Sequence, residues 1–262
     1  MTRAKNIAII GSKGKMGSAL GVLWEKAGYA VNGVDRRQNA SAGSDCGLDT
    51  HELKNAVTRA AAVVICVPVT VLRDIIACVT PFLRAGQILM DITSVKILPM
   101  LWMEEFYPGP VVGAHPLFGP NPAPEHLRVP LVRGRNTTDK DAALAEALFR
   151  DIDCTTFWTT AEGHDTGVAL AQSLNFTLSA AFFALLAENS HSRPFFTPSF
   201  TRHLESARKH LTVDTAMFCE FTAQNPMFPA ALQQYRAMID RVEQGELASV
   251  AEEAAIWYGQ KG

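Results

Sequence analysis

Short runs of apolar, often β-branched residues recur through the first 160 residues, separated by stretches whose apolar positions return every three or four residues. Ile7–Ile10, Ala30–Val34, Ala62–Val67, Ile88–Ile92, Val111–Ala114, Val129–Val132 and Thr155–Trp158 predict strands. Met16–Ala27, His51–Arg59, Val69–Phe82, Ile97–Phe106 and Asp139–Asp151 predict the helices between them. Alternation at this spacing implies an α/β domain with a mostly parallel sheet covered by helices on both faces. After Ala161 no strand-like run survives, and long helical patterns follow, broken near Arg193-Pro194, Asn225-Pro226 and Gln244-Gly245. The expected boundary lies near Thr159–Glu162, giving an α/β domain over 1–160 and an all-helical domain over 161–262.

Composition adds one feature to this pattern. Of 262 residues 48% are hydrophobic and only 19% charged, below the ~25% charged of an average globular chain. The deficit implies apolar surface covered by something else, and a homodimer through the helical domain is the expected cover. A net charge of −2 argues against a nucleic-acid or membrane-surface partner. The amino-terminal apolar run is too short for a signal peptide and enters a glycine turn, so a cytoplasmic location is expected. The five cysteines are scattered without a Cys-x-x-Cys pair, and Cys66 and Cys78 read as small buried hydrophobes in a reducing compartment. Val168 to Ala187 is twenty residues without a charge, close to a bilayer span. It carries Gln172, Ser173, Asn175, Thr177 and Ser179 and has no basic flank, so a helix buried in an oligomer is the preferred reading.

Candidate chemistry begins at Ile7-Ala8-Ile9-Ile10-Gly11-Ser12-Lys13-Gly14-Lys15-Met16-Gly17, a strand, a glycine turn and a helix start. Gly11 would make the tight turn, Gly14 would let a pyrophosphate approach the backbone, and Gly17 would let helix and strand pack closely. The phosphates would rest on unpaired N–H groups at the helix start. Asp35 ends the next strand 18 residues beyond Gly17, where an acid would bind the adenosine ribose hydroxyls. These features predict a Rossmann-like dinucleotide site. Asp35 favours NAD, whereas Arg36 and Arg37 would suit the 2′-phosphate of NADP. Lys15, Met16, Arg36, Val67 and Pro68 complete the expected cofactor-binding set.

Two further segments place reactive groups at strand ends. Leu89-Met90-Asp91-Ile92-Thr93-Ser94-Val95-Lys96 sets Ser94 and Lys96 where a strand gives way to a helix. Val112-Gly113-Ala114-His115-Pro116-Leu117-Phe118-Gly119-Pro120 ends a strand in His115. Ligands of open α/β sheets bind at the carboxyl ends of strands, so Ser94 and His115 fall on the cofactor side. A histidine there suits general-base work near neutral pH. No His, Cys or Asp spacing matches a metal site. His51, His126, His191 and His203 lack such context and read as surface residues. Asp165 reads most simply as a cap or dipole partner of its own helix, with His164 in support.

In these segments, together with Glu162-Gly163-His164-Asp165, the chain resembles the prephenate dehydrogenases, especially the form fused to chorismate mutase in enteric bacteria. The resemblance covers nearly the whole chain. It implies a monofunctional core that oxidises prephenate with NAD and loss of CO2, giving 4-hydroxyphenylpyruvate in tyrosine biosynthesis. On this resemblance His115 would accept the C4 hydroxyl proton, and Ser94 would bond the same hydroxyl or orient His115. Two departures accompany it. The family carries a histidine twelve residues after the first His of the His-Asp pair, where this chain has Phe176. The family's carboxylate-binding arginine falls near Lys209 or His210, with Arg202 and Arg208 close in sequence. Phe176, Arg202, Lys209 and His210 are therefore the expected substrate-side positions. Arogenate or 4-amino-4-deoxyprephenate is the rival substrate. A β-hydroxyacid dehydrogenase and a catalytically inactive cofactor-binding regulator are the rival classes.

Overall fold

A computed structural model describes residues 6–36, 45–121 and 127–259. Arg37 and His126 lie outside the described residues. Among the described residues seven strands, β1 Asn6–Ile10, β2 Ala30–Val34, β3 Ala62–Ile65, β4 Ile88–Asp91, β5 Val111–Ala114, β6 Arg128–Arg133 and β7 Thr155–Thr159, form one sheet in the order β2-β1-β3-β4-β5-β6-β7. Neighbours pair in parallel except β5 with β6. The strands β3, β4 and β5 are buried along their whole length, which is why they read as unbroken apolar runs without alternation. This is the Rossmann-like, mostly parallel sheet that the alternating pattern predicts, followed by a helical region.

Helices α1 Lys15–Lys26, α2 Thr50–Arg59, α3 Val69–Val79, α4 Ile97–Phe106 and α5 Asp139–Arg150 cover the sheet. One core gathers α2, α3 and α4 residues such as Val57, Leu72 and Met103 on β-strand side chains. The other gathers Leu20 and Trp24 of α1 with Leu148 and Phe149 of α5. Trp24 buries its ring and still satisfies its polar atom, Nε1 donating to the Leu148 carbonyl at 2.7 Å. Local chemistry starts the helices: Asp49 accepts the N–H groups of His51 and Glu52 ahead of α2, and Thr138 with Asp141 forms a reciprocal capping box on α5.

One cysteine expectation is corrected. Cys78 is not a free buried thiol but is disulfide-bonded to Cys46, 32 residues away, tying the short turn Asp45–Gly47 to α3. The pairing joins two scattered positions, which spacing alone does not reveal. Cys66 and Cys154 are free.

The chain divides into two compact units, Met1–Asp165 and Thr166–Gly262. Helix α6 Ala161–Val168 leads into a π-helical segment, Ala169–Leu174, and then into α7 Asn175–Glu188, α8 Pro198–Thr212, α9 Thr215–Gln224, α10 Phe228–Glu243 and α11 Leu247–Gly259. The run Ala161–Glu188 is long and apolar enough, by length and composition, to cross a membrane. Within the second unit Phe176 stacks on Phe218 with centroids 5.1 Å apart, and Phe221 lies 5.0 Å beyond Phe218.

Candidate active site

Strand order reverses direction at β1, with β2 on one side and β3 on the other, and the crevice outside their carboxyl ends is where such sheets bind ligands. The glycine turn occupies it. Gly11 has φ +87, a backbone region costly for any side chain, and a Cβ there would strike the Cys66 carbonyl oxygen. A Cβ at Gly17 would strike the Gly11 carbonyl oxygen, so the start of α1 packs against the turn only because residue 17 has no side chain. Gly14 differs: a Cβ there would meet only backbone, at 3.2 Å from Gly11 O and 3.8 Å from Cys66 O. It is the cap residue of α1, whose first-turn N–H groups receive no side-chain cap. That combination of orphan donors and backbone without side chain suits a pyrophosphate.

Asp35 follows β2 and its carboxylate accepts the Lys13 N–H at 2.6 Å and the Arg36 N–H at 2.7 Å. The acid expected to read the ribose thus also fastens the glycine turn to the next strand. Arg36 is exposed beside it, Lys15 and Met16 open α1, and Val67 and Pro68 carry the chain from β3 into α3. The dinucleotide-site positions of the sequence therefore converge on neighbouring strand ends.

Beyond β4 the chain makes a locked turn. Asp91 Oδ2 accepts the Thr93 N–H at 2.9 Å, the Thr93 hydroxyl at 2.5 Å and Lys96 Nζ at 2.5 Å. Asp91 and Lys96 are both wholly buried. Burial lowers the proton affinity of the Lys96 amine, against the opposing pull of Asp91 and then Asp165. Gly113 of β5 makes room for this pair, since a Cβ there would sit 2.7 Å from Lys96 Cδ and 2.9 Å from Met100 Sδ. Ser94 is half-buried within the same turn.

His115 follows β5 directly, its N–H donating to the Pro130 carbonyl at 3.2 Å, and only 5% of its surface is exposed. Burial first, then the charges of His164 and Lys96, hold its imidazole well below the usual histidine range. That shift favours the neutral imidazole, the form that keeps a lone pair for a proton. Its hydrogen-bond partner is His164: Nδ1 of His115 and Nε2 of His164 are 3.0 Å apart, the ring planes 62° to one another. His164 Nδ1 in turn lies 2.7 Å from Asp165 Oδ1. Among the described residues no hydrogen bond joins Ser94 to His115.

Asp165 does not cap its own helix as its position suggests. It lies inside α6 and accepts the N–H groups of Lys96 at 2.6 Å and Ile97 at 2.8 Å, so it caps α4 from a distance. A single carboxylate thus joins the turn after β4 to His164 and, through it, to His115 after β5. Spacing offered one signal for this, the adjacent His-Asp, but not its partners 49 and 69 residues away.

The expected substrate-side positions all lie in the second unit. Phe176 is buried against Phe218, with His210 edge-on at 6.2 Å. Arg202 and Lys209 are exposed on α8, and Lys209 lies 3.7 Å from Asp214. Among the described residues no group of three or more His, Cys, Asp or Glu is placed to hold a metal ion.

Residues 22–137 match the family described as prephenate dehydrogenase, nucleotide-binding domain. The T-protein of Haemophilus influenzae is 32% identical over 113 residues, covering 43% of this chain and 27% of that protein. The probable arogenate/prephenate dehydrogenase of Methanocaldococcus jannaschii is 24% identical over 250 residues, covering 91% of this chain and 53% of that protein. The chain thus spans about a quarter to a half of the length of these relatives. In fold it is similar to Synechocystis arogenate dehydrogenase, at 17% identity, TM-score 0.75 and 98% coverage of both chains. It is also similar to A. aeolicus prephenate dehydrogenase in complex with hydroxyphenyl propionate and NAD+, at 16% identity, TM-score 0.73 and coverage of 98% and 95%. Over residues 22–137 the chain is thus similar to the nucleotide-binding domain of the prephenate dehydrogenases.

Proposed function

We propose that this protein is an NAD-dependent dehydrogenase that oxidises and decarboxylates prephenate to 4-hydroxyphenylpyruvate. The observation that carries the reading is His115, a buried neutral imidazole at a strand end on the same side of the sheet as the dinucleotide turn. When bound, the nicotinamide would accept hydride from C4 of the substrate. The work of this chain's residues is to bind, orient and move one proton. The backbone at Gly11, Gly14 and Gly17 would hold the pyrophosphate, Asp35 the ribose hydroxyls, and Arg36 would flank the adenine end. His115 would take the C4 hydroxyl proton as the carbonyl forms, and Ser94 would donate a hydrogen bond to the same oxygen. Loss of the ring carboxylate as CO2 aromatises the product and makes the step effectively irreversible. Arg202, Lys209 and His210 are the cations and polar groups proposed for the substrate carboxylates, and Phe176 the apolar neighbour. A homodimer through the helical unit and a cytoplasmic location belong to the same proposal.

Arogenate or 4-amino-4-deoxyprephenate is the second reading, and Phe176 favours it. A buried phenylalanine stacked on Phe218 offers no hydrogen bond where the resembling family carries a histidine. The test incubates purified protein with each ring substrate and with NAD or NADP, following the reduced cofactor. The substrate with the highest kcat/KM identifies the activity. No turnover with any, despite tight cofactor binding, would replace the enzyme by a cofactor-binding regulator. His115→Asn is expected to lower kcat by ~10²–10⁴, the usual worth of a positioned base. A wild-type rate in that variant removes His115 from the chemistry.

A further inference from the structure

The histidine pair leaves one question of proton placement that the distances answer. Asp165 spends both carboxylate oxygens as acceptors, Oδ1 from the Lys96 N–H and Oδ2 from the Ile97 N–H. In the third bond, at 2.7 Å to the same Oδ1, His164 Nδ1 is the donor. A neutral His164 with its proton on Nδ1 has a bare Nε2, which accepts. The 3.0 Å bond to that Nε2 then requires the proton of His115 on Nδ1. One nitrogen remains, His115 Nε2, with a free lone pair and no hydrogen bond to any described residue.

We propose that His164, held by Asp165, is a positioning residue that locks His115 in its Nδ1–H tautomer and so aims a bare Nε2 at the substrate hydroxyl. The proposal rests on His115 being the base, as argued above. An isolated imidazole divides its proton between both nitrogens, and here one bonded chain removes the choice. When Nε2 accepts the substrate proton, the Nδ1 proton can pass along the bond to His164 Nε2. The positive charge then rests on the ring paired with the Asp165 carboxylate rather than on His115. Lys96 opposes a charge on either ring, while Asp165 and Asp91 favour one on His164. The same carboxylate caps α4, so base orientation and the turn that carries Ser94 share one anchor.

Long-range ¹⁵N–¹H spectra of histidine-labelled protein test the tautomer without any substrate. Both rings are expected as Nδ1–H tautomers at neutral pH, assigned by their loss in His115→Asn and His164→Gln. Finding His115 with its proton on Nε2 overturns the proposal whatever the activity. Kinetics add a second readout. His164→Gln keeps an acceptor oxygen and is expected to hold kcat within about tenfold, whereas His164→Leu should lose about 10²-fold, in the range of a misdirected base. The acid limb of kcat/KM should also shift in the leucine variant, with KM within about twofold. Identical kcat and pH profiles in wild type, His164→Gln and His164→Leu sink the proposal while leaving His115 as the base. If the wild type turns over no ring substrate, the function falls, and the spectra still decide the tautomer.

Discussion

At the scale of single residues, the site is built by burying groups that are expensive to bury and pairing them. His115 and His164 are both buried, and burial is the first cause that lowers the proton affinity of each. The consequence for stability has a definite sign. An unfolded histidine titrates near ~6.5, so below that pH the unfolded chain binds protons that the folded rings refuse. The stability held by neutral rings is fully present above about pH 6.5 and is lost as pH falls toward the folded values, by about 1.4 kcal/mol per pH unit for each proton taken up only on unfolding. Urea midpoints measured between pH 7.5 and 5 should fall with acidity in the wild type. The slope should be shallower in His115→Asn, because one of the two refusing rings is gone. Parallel curves would show that the ring does not titrate between the two states. Asp165 belongs to the same scale: one side chain carries a helix cap, an imidazole and a link over 69 residues.

At the scale of elements, the turn from β1 into α1 explains why its three glycines are not equivalent. Gly11 and Gly17 are closed by carbonyl oxygens, so a side chain at either would displace backbone. Gly14 has only ordinary or slightly tight contacts, the nearest being 3.2 Å, and lies at the uncapped start of α1. Gly14→Ala should therefore fold with a melting temperature close to wild type, yet weaken NAD binding by about tenfold or more by filling the phosphate approach. Equal loss of stability and affinity would assign Gly14 to packing instead. The contrast also marks how far the sequence could be read. The strands β3 to β5 announce themselves as short, largely β-branched apolar runs bounded by turn residues, too short for helices, and the glycine turn and His115 follow from where strands end. The pairing of His115 with His164, the capping of α4 by Asp165 and the Cys46–Cys78 bond depend on which distant turns meet, and periodicity carries no record of that. Gly113 is the same kind of case: its absent Cβ makes room for Lys96, a neighbour in another turn.

At the scale of the whole molecule, the apolar excess is unevenly spent. The first unit uses it in two dense cores, one on each side of the sheet. In the second unit the buried apolar residues are few, chiefly Val168, Ala169, Phe176, Ala207, Phe221 and Ala231, while Leu185, Phe195, Val213, Met217, Ile256, Trp257 and Tyr258 are at least half exposed. Scattered apolar surface is ordinary, and a contiguous apolar face is what marks an interaction site. A helical unit of this size gains its stability from burying amphipathic faces, and these faces are largely unburied within the chain. Association through the helical unit, proposed above as a homodimer, would supply that cover and would account for a chain that is 48% hydrophobic with 19% charged residues. Sedimentation at micromolar concentration should give twice the chain mass. Replacing Trp257 and Tyr258 together with glutamate, which puts two charges on that exposed face, should shift the protein toward monomer and lower the melting temperature of the helical unit. A wild-type chain that sediments as a monomer, with the melting temperature independent of concentration, would mean that this face serves another purpose and that the low charge needs a different cause.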